Sequence, residues 1–190
     1  MNSNEAVTAL VEAFDRAGIP YMIVGSFSSN AYGVVRSTKD ADFVVPCPFA
    51  DISRVVKELG PPWRFHPQIA FESVTGTKRC LLELDDDPFH IEVFRLSDDP
   101  HDQQRFGRRH QILLPNLQRP AIVPTPEDVI VTKLRWVEQA ARSKDRDDVR
   151  DIITVQQELL DWDYIHHWCG QHGTRQILDD IRSRIPPLDP

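Results

Sequence analysis

The sequence has no long apolar segment and few cysteines. No apolar run approaches the roughly 20 residues that cross a bilayer. The N-terminus carries acids where a signal peptide needs a basic start and an apolar stretch, so we expect a cytoplasmic protein. The three cysteines, Cys47, Cys80 and Cys169, are far apart and outside CxxC pairs. This spacing argues against a disulfide framework and against a thiolate zinc site.

Basic residues are fewer than acidic residues. The 190 residues include 22 Lys and Arg against 29 Asp and Glu, which gives a net charge of −7. This balance argues against a protein that coats nucleic acid by charge neutralisation, but it is compatible with one local basic patch. Arg105, Arg108 and Arg109 form such a cluster, which is either a solvated loop or a binding place for the phosphates of an acceptor.

Hydrophobic patterning predicts a mixed α/β (α+β) module over residues 1–123 and a helical module over residues 124–190. In the first module an apolar stripe predicts a helix that ends at Gly18, and a short apolar run predicts a buried strand at residues 21–24. The other elements predicted there are a helix at 52–59, strands at 77–84, 89–94, 110–114 and 121–123, and an acidic turn at 85–88. In the second module Thr125 and Pro126 predict a helix start. The helices predicted there are 126–142, 144–160, 161–169 and 174–184.

Polar residues alternate in the segment that precedes a short apolar run. Arg36, Thr38, Asp40 and Asp42 sit at period two, so a strand would project all of them from one face. Neighbouring carboxylates repel unless a cation lies between them. An Asp-x-Asp pair of hard oxygen ligands is typical of a site for Mg²⁺ or Mn²⁺. The alternative is a solvated strand at the edge of a sheet.

Three further features favour the metal site. Residues 43–45 are wholly apolar, which predicts an internal strand whose charged end faces a cleft. Glu92 lies on the polar face of another predicted strand and offers a third carboxylate. Gly25 and Ser26 form a predicted turn at a helix N-terminus, where backbone N–H groups can bind phosphate. A phosphate site together with a metal site implies a nucleoside triphosphate.

Lys133 lies on the apolar face of its predicted helix, because the residues three and four positions away on both sides are apolar. A charge there needs a partner. Lys133 is either a cation that reaches the triphosphate or a lysine whose stem crosses the core to solvent. Asp145 and Asp148 either position Lys133 or the nucleotide, or begin a helix with acids near its positive end.

The run VGSFSSNAYGVVRSTKDADFVV, residues 24–45, resembles the Gly-Ser and Asp-x-Asp signature of the nucleotidyltransferase superfold. This superfold includes DNA polymerase beta, antibiotic adenylyltransferases and the AbiEii-type toxins of bacterial toxin–antitoxin systems. The Arg-x-Thr-x-Asp-x-Asp form is most similar to the AbiEii-type and related small bacterial branches. Residues 126–128, 133–134 and 142–148 resemble the helical segment that follows the catalytic sheet in that branch.

The resemblance implies a mixed sheet flanked by helices, a C-terminal helical section, and metal-dependent transfer of a nucleoside monophosphate from a nucleoside triphosphate to an acceptor. The residues that it implies for nucleotide binding are Gly25, Ser26, Arg36, Thr38, Lys133, Asp145 and Asp148, and those for Mg²⁺ or Mn²⁺ and catalysis are Asp40, Asp42 and Glu92, with Lys133 as a catalytic cation. In this mechanism Glu92 either ligates a second metal ion or takes the proton from the attacking hydroxyl.

One departure from the family concerns the third carboxylate. The family usually has Asp at this position, and Glu92 is one methylene longer. A second hypothesis is therefore a catalytically inactive nucleotidyltransferase-fold module that binds nucleotide or a protein partner. For an active enzyme the acceptor is an RNA or tRNA end, a protein side chain or a small alcohol, and the resemblance also implies a cognate antitoxin as a partner. Fold resemblance does not choose among these acceptors.

Overall fold

The computed structural model describes residues 1–85, 87–114, 117, 119–140 and 143–186. Asp86, in the predicted acidic turn, and Arg142, at the predicted end of a helix, lie outside the described residues. The chain divides into two compact units. The first comprises Met1–Phe27 and Ser37–Pro124, and the second comprises Ser28–Arg36 and the chain from Thr125 onward. The short segment from Ser28 to Arg36 thus belongs with the helical unit, although the sequence pattern placed it in the first module.

The first unit contains both helices and strands. Its helices are α1 (Ser3–Ala17), α3 (Phe49–Leu59) and α4 (Pro100–Arg108). Its strands are β1 (Met22–Val24), β2 (Asp40–Val45), β3 (Trp63–Phe65), β4 (Ala70–Glu72), β5 (Thr77–Leu84), β6 (Asp87–Arg95), β7 (His110–Leu114) and β8 (Arg119–Val123). Helix α2 (Gly25–Tyr32) begins in this unit and ends in the second. The second unit contains α5 (Pro126–Ala140), α6 (Ser143–Gln156), a 3₁₀ turn (Gln157–Leu159), α7 (Trp162–His172) and α8 (Arg175–Arg182).

The main sheet is mixed. Its strand order is β1-β2-β6-β5-β3, with β4 paired to β5 outside this order. Strand β2 runs antiparallel to β1 and parallel to β6. The strand that carries Asp40 and Asp42 is therefore internal, as the apolar run after it predicts, and the edge-strand alternative is wrong. Strands β7 and β8 form a separate antiparallel pair.

Helix α1 forms as its apolar stripe predicts. Asn2 caps its N-terminus through a capping box with Glu5, and Gly18 ends it in the left-handed conformation. Phe14 from the helix packs against Tyr21 and Phe43, with ring centroids 5.8 and 5.7 Å away. This cluster anchors both β1 and β2, which positions the residues at the ends of these strands.

Helix α4 packs against the main sheet through one aromatic side chain. Its Phe106 packs with Met22 and Val44. The sequence analysis missed this helix, although Asp99 caps it and Pro100 occupies its first turn, the same start signal that predicts α5. Arg105 is buried and paired with Asp102 at 2.9 Å. The predicted basic cluster is therefore not a solvated loop, and its first arginine lies within the helix packing.

The helices of the second unit pack closely. Gly33, just after α2, lies close to the backbone of α6. A Cβ on Gly33 would lie 3.2 Å from the backbone nitrogen of Ile152, which is tighter than most Cβ contacts. Gln156 also donates a hydrogen bond to the Tyr32 carbonyl at 2.9 Å. Residues at the end of α2 are thus fixed against α6. Among the described residues, no helix is both long enough and apolar enough to span a membrane.

Candidate active site

Three carboxylates meet on one face of the main sheet. In the register of the parallel strands, Asp42 lies opposite Glu92 and Asp40 lies opposite His90. Because side chains two residues apart in a strand share a face, Asp40, Asp42 and Glu92 all project from the same side. Each of the three is half-buried. The sheet thus brings together the acidic residues that the sequence analysis singled out for metal binding.

The Asp42 carboxylate leaves room only for a glycine at position 25. Strand β1 pairs Val24 with Asp42, so the turn that follows β1 begins beside this carboxylate. Gly25 has a φ of +63°, and a Cβ added to it would lie 1.9 Å from Asp42 Oδ2. Only glycine avoids both the backbone strain and this overlap. Ser26 follows in the first turn of α2 and is buried.

Thr38 orients the other aspartate. Its hydroxyl donates a hydrogen bond to Asp40 Oδ1 at 2.7 Å and lies 3.1 Å from the Asp40 carbonyl oxygen. Strand β2 begins only at Asp40, so Arg36 and Thr38 precede the strand. The expectation that one strand projects all the alternating polar residues from one face is therefore wrong for Arg36 and Thr38, because the chain is not paired in a ladder there.

Glu92 has a cationic partner that sequence reasoning missed. The guanidinium of Arg79, on β5, donates to Glu92 Oε2 and forms an ion pair with it. In the antiparallel register Arg79 lies opposite Phe94. The sequence predicts strands at 77–84 and 89–94 with a short turn between them, which indicates that the two strands pair. The register that brings Arg79 to Glu92 was not predicted, and it includes an irregularity between Glu83 and Leu84.

The donor set suits a divalent cation. Asp40, Asp42 and Glu92 offer hard carboxylate oxygens, which Mg²⁺ and Mn²⁺ prefer. The absence of a side chain at Gly25 leaves the backbone of the turn in direct contact with one of these carboxylates. The residues present therefore fit the metal that the sequence signature implies.

A second polar cluster lies within the helical unit. Lys133, on α5, is 6% exposed, and its ammonium lies 2.9 Å from Asp145 Oδ1 and 2.6 Å from Asp148 Oδ2. Both aspartates are on α6 and are buried. The expectation that a lysine on the apolar face needs a partner is met by these two ion pairs.

Asp148 is the centre of this cluster. The guanidinium of Arg36 binds it in a fork, with Nε 2.7 Å from Oδ1 and Nη2 2.8 Å from Oδ2. Ser29 donates a third hydrogen bond at 3.2 Å. Burial alone would raise the pKa of Asp148, but the hydrogen bonds from Arg36 and the charge of Lys133 lower that pKa to about 2.

Two features of this cluster were not predicted from the sequence. Asn30 holds the backbone of Arg36 from both sides, donating to its carbonyl at 2.8 Å and accepting from its N–H at 3.1 Å. Asp145 Oδ2 is buried, and it accepts no hydrogen bond from any described residue. The Asn30 contact depends on the path of the loop from residue 33 to residue 36, and the environment of Asp145 depends on how α5 and α6 pack.

No known protein family profile matches this sequence, and no curated protein sequence matches it. Solved structures do resemble it. The antibiotic-resistance factor ANT(2'')-Ia in complex with adenylyl-2''-tobramycin is 15% identical, with a TM-score of 0.65 over 93% of this chain and 99% of that chain. An antigenic nucleotidyltransferase-like protein from Paracoccidioides brasiliensis is 17% identical, with a TM-score of 0.57 over 97% of this chain and 94% of that chain. The lincosamide antibiotic adenylyltransferase LnuA, with lincomycin bound, is 10% identical, with a TM-score of 0.53 over 82% of this chain and 98% of that chain.

These similarities agree with the mixed sheet and the helices that accompany it. At these identities the likeness concerns the fold and not the activity. The chain therefore has the nucleotidyltransferase fold.

Proposed function

We propose that the protein is a divalent-metal-dependent nucleotidyltransferase that moves a nucleoside monophosphate from a nucleoside triphosphate to an acceptor hydroxyl. The observation that carries this proposal is the position of Asp42. Its carboxylate lies against Gly25 at the start of a helix and opposite Glu92 in the sheet. Asp42 thus lies beside both the turn that we propose binds phosphate and the third carboxylate of the site.

In the proposed reaction each candidate site residue of the first unit has a role. Asp40 and Asp42 hold the metal, and Thr38 keeps Asp40 in its orientation through a 2.7 Å hydrogen bond. The backbone of Gly25 and Ser26 binds the triphosphate. A bound Mg²⁺ would supply charge stabilisation to the phosphate oxygens.

The reaction is a substitution at the α-phosphorus, in which one P–O bond forms and another breaks. The acceptor oxygen forms a bond to that phosphorus, the bond to the bridging oxygen of the β-phosphate breaks, and pyrophosphate leaves with the electron pair. The proton of the attacking hydroxyl passes to the Glu92 carboxylate. Most of the rate enhancement in such a site comes from positioning and from charge stabilisation.

A small alcohol is the acceptor class that we favour. Among the similar structures, that of ANT(2'')-Ia contains adenylyl-2''-tobramycin and that of LnuA contains lincomycin. The net charge of −7 also disfavours a long RNA as acceptor. An AbiEii-type toxin activity, a cognate antitoxin and a cytoplasmic location stay predictions from the sequence.

The buried cluster of the second unit has a proposed role of its own. We assign nucleotide binding to Lys133, Arg36, Asp145 and Asp148, as the sequence resemblance implies. All four are already engaged with one another, with Lys133 bound to both aspartates and Arg36 bound to Asp148. A variant that tests this role is Lys133→Met, with binding of a non-hydrolysable nucleotide analogue as the readout.

One observation favours a second candidate function. Glu92 replaces the usual aspartate and is paired with Arg79. If a carboxylate held in an ion pair does not serve the reaction, the protein binds nucleotide without transferring it. Nucleotide binding without turnover is the result that this candidate predicts.

The test is incubation of the purified protein with Mg²⁺, nucleoside triphosphates radiolabelled at the α-phosphate, and extracts that supply RNA, protein and small alcohols. We expect label in one acceptor fraction with the natural protein and none with Asp42→Asn. The matched control is Asp51→Asn, which removes an aspartate paired with Arg54 on the helix surface. Turnover retained by Asp42→Asn would contradict the proposed metal role.

A further inference from the structure

Glu92 lies between two strands that present opposite charges to it. Strand β2 places Asp42 directly opposite Glu92. Strand β5, on the other side, pairs Leu81 with Glu92 and Arg79 with Phe94, which puts Arg79 on the diagonal. The Arg79 guanidinium reaches across this diagonal and binds Glu92 Oε2. Glu92 therefore has an anion on one side and a cation on the other.

A second contact holds the Arg79 side chain in this orientation. Its guanidinium carbon lies 5.9 Å from the centroid of the Phe94 ring, within the range of a cation–π interaction. Arg79 is 39% exposed and Glu92 is 18% exposed. An ion pair with this much solvent contact contributes less than about 1 kcal/mol to stability, so folding stability alone gives little reason for it.

The ion pair changes the net charge of the carboxylate cluster. Asp40, Asp42 and Glu92 carry three negative charges, and Arg79 carries one positive charge, which leaves a net charge of −2. A single divalent cation neutralises this group. In the protein without nucleotide, a second divalent cation would leave an excess of positive charge and would be repelled by the guanidinium beside Glu92, because the ions of two-metal sites lie only roughly 3.5–4 Å apart.

We propose that Arg79 takes the place of a second metal ion, so that the site binds one divalent cation through Asp40 and Asp42. Arg79 neutralises Glu92, and Glu92 serves as the proton acceptor for the attacking hydroxyl and not as a metal ligand. Arg79 is a positioning residue, because it acts through Glu92. This inference rests on the proposed function and narrows it.

The experiment counts metal ions directly. Mn²⁺ is titrated into the full-length protein without nucleotide, and free Mn²⁺ is measured by electron paramagnetic resonance. We expect one bound Mn²⁺ for the natural protein and for Arg79→Lys, which keeps the charge. Arg79→Gln is expected to bind a second Mn²⁺, because removal of the guanidinium leaves Glu92 without its cation. Asp42→Asn should lose the single ion.

A control and an independent variant accompany this titration. Arg64→Gln removes an arginine from β3 of the same sheet, where it pairs with Asp85 at 2.8 Å, and should leave the count at one. Glu92→Gln keeps a hydrogen-bond partner for Arg79 but removes one negative charge near the ion, so it should still bind one Mn²⁺, with a loss of affinity of less than about tenfold. Loss of a true ligand would instead weaken binding by more than about tenfold. Thermal melting of every variant reports whether it folds.

The outcomes separate this inference from the proposed function. Two Mn²⁺ ions bound by the natural protein, or a more than about tenfold loss of affinity in Glu92→Gln, would overturn the role of Arg79. Radiolabel transfer would still support the nucleotidyltransferase in that case. If the natural protein neither binds Mn²⁺ nor transfers label, both proposals are wrong.

Discussion

The Asp42 carboxylate occupies the space where any other residue at position 25 would carry its Cβ. The gap between that Cβ and Asp42 Oδ2 would be only 1.9 Å. Gly25 also has a φ of +63°, in the left-handed region that favours glycine. The start of α2 and the strand that carries Asp40 and Asp42 therefore pack closely against each other at Gly25.

The first prediction concerns Gly25→Ala. The new methyl group must displace the Asp42 carboxylate, and we expect the rate of nucleotide transfer to fall by about 100-fold, as a displacement of about 1 Å in a catalytic group does. The stability cost from the left-handed backbone should be about 1 kcal/mol. Transfer rates and urea unfolding measure the two effects.

Gly18→Ala is the matched control for this change. Gly18 has almost the same φ, +64°, but a Cβ there would meet no atom within 4 Å. The control should lose a similar amount of stability and keep its activity. Equal loss of activity in both variants would show that backbone strain, and not the contact with Asp42, is responsible.

The second prediction concerns the hydroxyl of Thr38. Thr38→Val preserves the shape of the side chain but removes the 2.7 Å hydrogen bond to Asp40. We expect the affinity for Mn²⁺ to fall by about tenfold, because groups that orient a metal ligand typically contribute that much. Thr154→Val, which removes a hydroxyl bonded to the Arg150 carbonyl on an exposed part of α6, should leave the affinity unchanged. An unchanged affinity in Thr38→Val would show that Asp40 does not need this bond.

The third prediction concerns the stability of the helical unit. Asp148→Asn removes the negative charge that faces both Arg36 and Lys133. Since Lys133 keeps its bond to Asp145, we expect the free energy of unfolding to fall by roughly 3 kcal/mol, the lower end for a broken buried pair. Asp179→Asn breaks an exposed pair with Arg175 and should cost less than about 1 kcal/mol. Urea unfolding compares the two variants, and equal losses would contradict a central role for Asp148.

The fourth prediction is a pH dependence of stability. The pKa of Asp148 is lowered from 3.8 to about 2 in the folded protein. A lowered pKa means that the unfolded chain binds the proton more readily, so the stabilisation is complete above about pH 4 and is lost as the pH falls towards 2. The natural protein should lose about 2 kcal/mol over this range through this group. Unfolding curves at several pH values should show a shallower acid limb for Asp148→Asn.

Much of the fold followed from local patterns in the sequence. The strand at Thr77–Leu84 and the end of α1 at Gly18 were predicted correctly, because alternation and a C-cap glycine are local signals. The strands Trp63–Phe65 and Ala70–Glu72 were missed. Each is three residues long, too short to show a period, and each exists only because β5 offers it backbone partners.

The candidate site was predicted in part. Asp40 and Asp42 were singled out because like charges on one strand face need an explanation, and Glu92 because it lies on the polar face of another predicted strand. The structure brings the three together, and their role in metal binding stays a prediction. Arg79 was not identified, since its significance depends on the register between β5 and β6. Arg36 was assigned to the strand face, but it is held by Asn30 and binds Asp148, far away in the chain.

The sequence by itself determined the longer strands, the start or end of several helices, and which acidic and glycine residues are candidates for metal and phosphate binding. These properties depend on neighbours within a few positions. The tertiary structure alone decided that Asp42 faces Gly25 and Glu92, that Glu92 is paired with Arg79, and that Lys133 is neutralised by two aspartates. Ion pairs and close contacts between distant residues arise from strand register and helix packing, which no local pattern encodes.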